Sequence, residues 1–253
     1  MSETLTWHRL WLLIRGDAIA DYRFVLMASG AIAALSFLSS LGALNEPGDF
    51  YGGWFAGLIT VAGPIYASMS FRELHDKSRN DAYLLLPASS LEKTLARLLR
   101  STVGFVVYML LLMTVCSVLN EGIKWLVFGR TNPLFIPDSP AVWRAIGVFM
   151  VVQAPFFLGA AWFRRLHFIK TWLVLTAIPV ALGCLAVGTL WLLYGNLDLV
   201  LRNEDVNNYY LAHQTLFDAV NSSLEFLLFI VLPLFCWYVA WLRVKETQVS
   251  HGV

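Results

Sequence analysis

Few residues in this chain are typed and spaced to do chemistry. The five histidines, His8, His75, His167, His213 and His251, fall in separate segments and form no HExxH pair. No GxxxxGK(S/T) stretch is present to cradle a nucleotide phosphate. Cys116, Cys184 and Cys236 stand inside apolar runs without metal-ligand spacing and read as small buried hydrophobes. No paired carboxylates line one apolar helix face, so an enzyme active site is not expected. The most structured polar stretch is 72–100, RELHDKSRNDAYLLLPASSLEKTLARLLR. Ser89 and Glu92, three residues apart, form a capping box. Pro87 stands just upstream, where it ends the preceding segment. A helix is therefore expected from about Ser90. Leu91, Leu95 and Leu98 share one of its faces, and Lys93, Arg97 and Arg100 share another.

Upstream of the cap, Tyr83 is followed by Leu84, Leu85, Leu86 and Pro87. Three consecutive leucines between polar stretches need cover. Lipid, the protein's own surface or a partner protein could each supply it.

The elements that carry this stretch are apolar. The chain has 253 residues, 58% of them apolar and only 14% charged, against about a quarter charged in a soluble domain. So few charges cannot coat a water-soluble globule, but they suffice for the caps of a bundle whose sides face lipid. The ten Trp and nine Tyr suit the membrane–water boundary. Six windows approach the roughly 20 apolar residues that a spanning helix needs, at about 24–44, 53–71, 101–119, 145–163, 171–194 and 224–242. The fourth is the least clean, because Gln153 and Pro155 sit in its middle. The expected fold is thus all-α, one transmembrane domain over 1–253 with six spans. Residues 5–22 place Leu5, Trp7, Leu10, Trp11, Leu13 and Ile14 at helical spacing, as in an interfacial amphipathic helix or a plain N-terminal anchor. No cleavable signal peptide is expected, since the residues before the first apolar run are too long and too mixed in charge.

Lys and Arg set the orientation. With both termini in the cytoplasm, fourteen of the eighteen fall inside, and only Lys124, Arg130, Arg144 and Arg202 fall outside. The helix from Ser90 meets no breaker before Asn120 and Gly122, so it should run about 30 residues, or about 45 Å. That exceeds the hydrocarbon thickness of about 30 Å, so about ten residues should project into the cytoplasm. The second span can likewise continue through Arg72 and Glu73 as a polar stalk.

The run Leu86, Pro87, Ala88, Ser89, Ser90, Leu91, Glu92, Lys93, with Arg97 following, resembles the permease subunits of type-2 ABC transporters. The plan of an N-terminal interfacial helix, six spans and a long first cytoplasmic loop is similar too. The resemblance implies an exporter subunit of the bacterial inner membrane that works as a dimer with a second permease copy or homologue. It implies that a separate ABC ATPase docks on the 72–100 coupling region through Tyr83, Leu84, Leu85, Leu86, Pro87, Ser89, Glu92, Lys93 and Arg97. This chain would then hold no cofactor, ATP and Mg²⁺ being bound by the partner, and would bind no nucleic acid. The alternative is a non-transport scaffold or biogenesis factor whose first cytoplasmic loop binds another partner.

Arg164, Arg165 and His167, with Lys170, read either as a second contact with an ATPase or anionic lipid, or as the ordinary positive-inside signal. The spans carry almost no ionisable residue, which argues against ion-coupled transport and for an external energy source. Gln153 is the most central polar side chain and suits an interhelical hydrogen bond. Glu225 lies near the outer end of the last span. Pro64, Pro155, Pro179 and Pro233 are expected to shape their helices. The outer loops are 45–52, 120–144 and 195–223. The middle one, with Trp125, Leu126 and Phe128, is expected to dip into the interface. The last, with Tyr209, Ala212, His213, Leu216, Phe217 and Val220 at helical spacing, is expected to hold a surface amphipathic helix.

Overall fold

The structure, a computed structural model, describes residues 7–43, 49–72, 89–163, 166–194 and 214–250. Every regular element among them is helical. They are α1 (Trp7–Gly42), α2 (Phe50–Ser68), α3 (Ser90–Leu99), α4 (Phe105–Phe128), α5 (Pro140–Trp162), α6 (His167–Tyr194), α7 (Gln214–Phe226) and α8 (Leu232–Ser250). Single π-turns, Arg100–Gly104 and Leu227–Val231, join α3 to α4 and α7 to α8.

Five helical stretches are long and apolar enough to cross a membrane: Asp21–Gly42, Ser90–Phe128, Pro140–Trp162, His167–Thr189 and Gln214–Thr247. The chain is therefore built as a multi-pass membrane protein. The second expected span, α2, is not among the five. Its Tyr51, Trp54, glycines and Pro64 dilute its hydropathy, and one of its faces is buried against protein while Val61 and Ile65 are exposed. Tyr51, Phe55 and Ile59 are fully buried there, in a core completed by Phe105, Met109 and Phe149.

The fourth window, the least clean in sequence, is the hub of the bundle. Its helix α5 packs most extensively on α2, and also on α8 and α6. Buried positions make up 56% of its apolar window, against 6% for α6. Polar and proline residues are tolerated in α5 because neighbouring helices, not hydrocarbon, surround it. Gly63 of α2 lets Phe149 of α5 approach so closely that a Cβ would collide with the ring. Gly159 of α5 makes the same room for Thr171 of α6. A second core gathers Phe71, Phe157, Ala160, Ala161, Ala240 and Val244 from α5, α8 and the turn after α2.

The structure corrects several boundaries. α2 does not run on unbroken through Arg72, as expected of a stalk: it ends at Ser68, and Glu73 lies outside the described residues. Turn hydrogen bonds from Met69, Ser70 and Arg72 then swing Phe71 into the second core, against Phe157. Residues 73–88 lie outside the described residues. The helix from Ser90 passes Asn120 and Gly122 and runs 39 residues to Phe128. It stops at Gly129, whose φ of 64° places it in the left-handed region that glycine enters without penalty. Trp125, Leu126 and Phe128 are thus exposed residues of α4 and not of a dipping loop. Residues 214–226 form a helix, as expected of that loop, but one continuous with the last span. Residues 209–213 of the same pattern lie outside the described residues. Trp7–Gly42 is one unbroken helix, joining the 5–22 segment to the first span.

Each π-turn has a local cause. Thr102 and Ser101 turn their hydroxyls back onto the Leu98 carbonyl, at 2.6 and 3.2 Å, competing with the backbone ladder. Pro233 has no N–H and its ring crowds the preceding turn, which widens at Leu227–Val231.

Candidate functional site

The predicted coupling region is described only from Ser89 onward. Tyr83, Leu84, Leu85, Leu86 and Pro87 lie outside the described residues, as do Arg164 and Arg165. The capping box forms as read from the sequence. Glu92 N–H donates to Ser89 Oγ at 3.1 Å, and Ser89 N–H donates to Glu92 Oε2 at 3.0 Å. α3 begins at Ser90.

The orientation of α3 is the opposite of an exposed charged stalk. Glu92, Lys93 and Arg97 are 1%, 3% and 5% exposed, while Leu91 is 40% exposed. The polar face packs inward, against α1 on one side and α8 on the other. The Arg97 guanidinium lies 5.3 Å from the centroid of the Phe71 ring.

The last charged residue of this face reaches α1. Arg100 Nη2 donates to Asp21 Oδ2 at 2.8 Å. Asp21 lies just before the apolar run of α1 at 24–42, whose 19 residues are about 28 Å long, close to the thickness of the hydrocarbon. α3 packs on α1, and Arg100, which follows α3, meets Asp21 just ahead of the apolar run of α1.

The other end of the same rod holds a site that sequence reasoning missed. Glu121 and Lys124, assigned above to an outer loop, are 4% and 0% exposed and form an ion pair on α4. Tyr51 Oη of α2 donates to Glu121 Oε1 at 2.6 Å. The Asn132 backbone N–H donates to Glu121 Oε2, also at 2.6 Å. Asn132 Nδ2 reaches the Ala43 carbonyl at 3.3 Å, and Asn120 Nδ2 reaches Ser36 Oγ at 3.1 Å. Both carboxylate oxygens of Glu121 are thus engaged, as a charge out of water requires. The cluster lies beside the C-terminal part of α1, which it meets at Ser36 and Ala43.

Comparison with known protein families, with curated proteins and with solved structures returned no match to this chain.

The signal for the second cluster was present in the i, i+3 spacing of Glu121 and Lys124, which places them on one helix face. Taking Asn120 and Gly122 as breakers hid it. Gln153 also departs from expectation. It is 0% exposed, and neither amide atom has a hydrogen-bond partner among the described residues. His167 opens α6 just after Leu166, whose φ of 56° is strained for a leucine. Beside it Lys170 stacks on Phe163 and Arg243 of α8 stacks on Trp162, at 5.6 and 5.0 Å.

Proposed function

We propose that this chain is the transmembrane subunit of an ABC exporter in a bacterial inner membrane. In this reading α2 is the sixth span and both termini are cytoplasmic. A separate ATPase, which binds ATP and Mg²⁺, docks on the first cytoplasmic loop, and a second permease copy or homologue completes the pore. The observation that carries the reading is the continuous helical rod from Ser90 to Phe128. It overshoots the belt at its capped end and is fastened at both interfaces, by Arg100 to Asp21 and by Glu121 to Tyr51.

A rod so held transmits movement at its base across the membrane rather than bending. Because Glu92, Lys93 and Arg97 are buried within the chain, their role is to brace the loop. Contact with the ATPase falls to Tyr83, Leu84, Leu85 and Leu86, together with the exposed Leu91. The basic residues Arg164, Arg165 and His167 serve as the cytoplasmic anchor of the second inner connection.

Affinity purification from membranes in mild detergent, with crosslinking, should recover a P-loop ATPase with this chain. Recovery of the chain alone, or with a partner lacking a P-loop, would favour the scaffold reading. Replacing Leu84, Leu85 and Leu86 by polar residues should abolish that association while leaving the helical fold intact.

A further inference from the structure

The apolar interior is divided in two. One core holds Phe55, Ile59, Met109 and Phe149, from α2, α4 and α5. The other holds Phe71, Phe157, Ala240 and Val244, from the turn after α2, from α5 and from α8. Contacts on either side fix the layer between them. On one side the rings of Phe149 and Phe105 lie 5.5 Å apart and both border Gly63. On the other side Phe71 meets Phe157 at 5.0 Å and the Arg97 guanidinium at 5.3 Å. One helical turn inward from Gly63, Phe149 and Phe105 stand Ala67, Gln153 and Ser101. Counting one turn back from Phe71, Phe157 and Arg97 arrives at the same three residues. All three are buried.

Each element that supplies this layer is interrupted at it. α2 ends at Ser68, the residue after Ala67. The rod changes from α to π winding over Arg100–Gly104, which includes Ser101. α5 carries Pro155 two residues after Gln153, and a proline removes one bond of the helical ladder. Prolines and π-turns are the places where helices bend. Gln153 adds an energetic fault. Its amide is enclosed between two apolar cores, and neither amide atom is hydrogen-bonded among the described residues. A buried polar group left so weakens the packing around it. α1 runs past unbroken and is fastened at Asp21 to Arg100, so the two parts stay joined.

We propose that this layer is a hinge. The second core, together with α3, whose Leu98 packs against it, tilts as one body against the first core. Any one of the interruptions alone would be ordinary packing shape. Their coincidence in one layer, around an unbonded amide, is what a built-in hinge requires. Gln153 also supplies a reason to tilt. Ser101 Oγ donates to the Leu98 carbonyl at 3.2 Å and keeps lone pairs free. A tilt that brings Gln153 Nε2 to that oxygen gains a hydrogen bond that the packed arrangement lacks.

The hinge does not rest on the transport reading, and its test needs no ATPase. Paired spin labels would be placed on the full chain in nanodiscs, with the three native cysteines replaced. One pair, at Val61 and Leu91, crosses the layer; a control pair, at Val61 and Leu111, lies within the first body, and all three positions are exposed. Electron–electron double resonance should give two distances, or one broad distribution, for the crossing pair and a single narrow distance for the control. Q153L and Q153M replace the amide by an apolar side chain of similar size. Each should narrow the crossing-pair distribution to one distance, leave the control unchanged and raise Tm by several degrees. A single narrow crossing distance, the same in wild type and in the variants, would overturn the proposal. So would a lower Tm in both folded variants, which would mean that Gln153 is already bonded in the packed arrangement.

Discussion

Arg100 and Asp21, seventy-nine residues apart in sequence, meet at 2.8 Å and fasten α1 to the junction of α3 and α4. The pair ties the end of α3 to a residue that just precedes the apolar run of α1. Both side chains are partly exposed, so its direct contribution to stability is small, about 0.2–1 kcal/mol. Its importance is registration. Single cysteines at Leu91, Leu111 and Leu126, in a background free of the three native cysteines, read that registration. Leu91 and Leu126 should label with a membrane-impermeant maleimide from opposite faces, and Leu111, exposed at mid-belt, should not label. Labelling of Leu91 and Leu126 from the same face would contradict the depth assignment.

The ion pair between Glu121 and Lys124 should behave as a buried pair. Glu121→Gln or Lys124→Met alone leaves one charge without its partner and should cost about 3–5 kcal/mol. The double variant should recover much of that loss, because no buried charge remains. Reversible unfolding in mixed micelles gives the cycle. Additive single losses would show that the two residues act independently.

Ser89→Ala should cost about 1 kcal/mol, the usual value of an N-cap. The loss should appear locally, as faster hydrogen exchange at Leu91 and Glu92, with α5 unaffected. Ser89→Asp retains an accepting oxygen and should restore protection. Unchanged exchange in Ser89→Ala would mean that the buried polar face alone holds the helix start.

The contact between Gly63 and Phe149 sets the spacing of α2 and α5. Gly63→Ala places a methyl group against the Phe149 ring and should destabilise the fold by about 1–3 kcal/mol. Adding Phe149→Leu should relieve part of that. A neutral Gly63→Ala would mean that the two helices can separate without loss.

The membrane class, the helical fold and the capped start at Ser90 could all be read locally, from composition and from a three-residue spacing. What could not be read depends on which neighbour each face meets. Lys93 and Arg97 look like a solvated face until α1 and α8 are seen to cover them. α2 looks like an ordinary span, yet its glycines and tyrosine mark a helix buried by α5. Glu121 and Lys124 resemble loop charges because the residue that ends their helix, Gly129, lies beyond two apparent breakers. Gln153 and Pro155 make α5 appear the weakest span, although a polar residue at the centre of a bundle fits a helix shielded from lipid.

The central claim is that a partner ATPase grips the loop leading into the rod that begins at Ser90. A photocrosslinking amino acid at Leu85, in membranes from cells producing the full chain, tests it most directly. A single major adduct with a P-loop ATPase is expected, lost when the crosslinker is moved to Leu111 in the belt. Adducts only with lipid or with this chain itself, at every position from Tyr83 to Leu86, would contradict it.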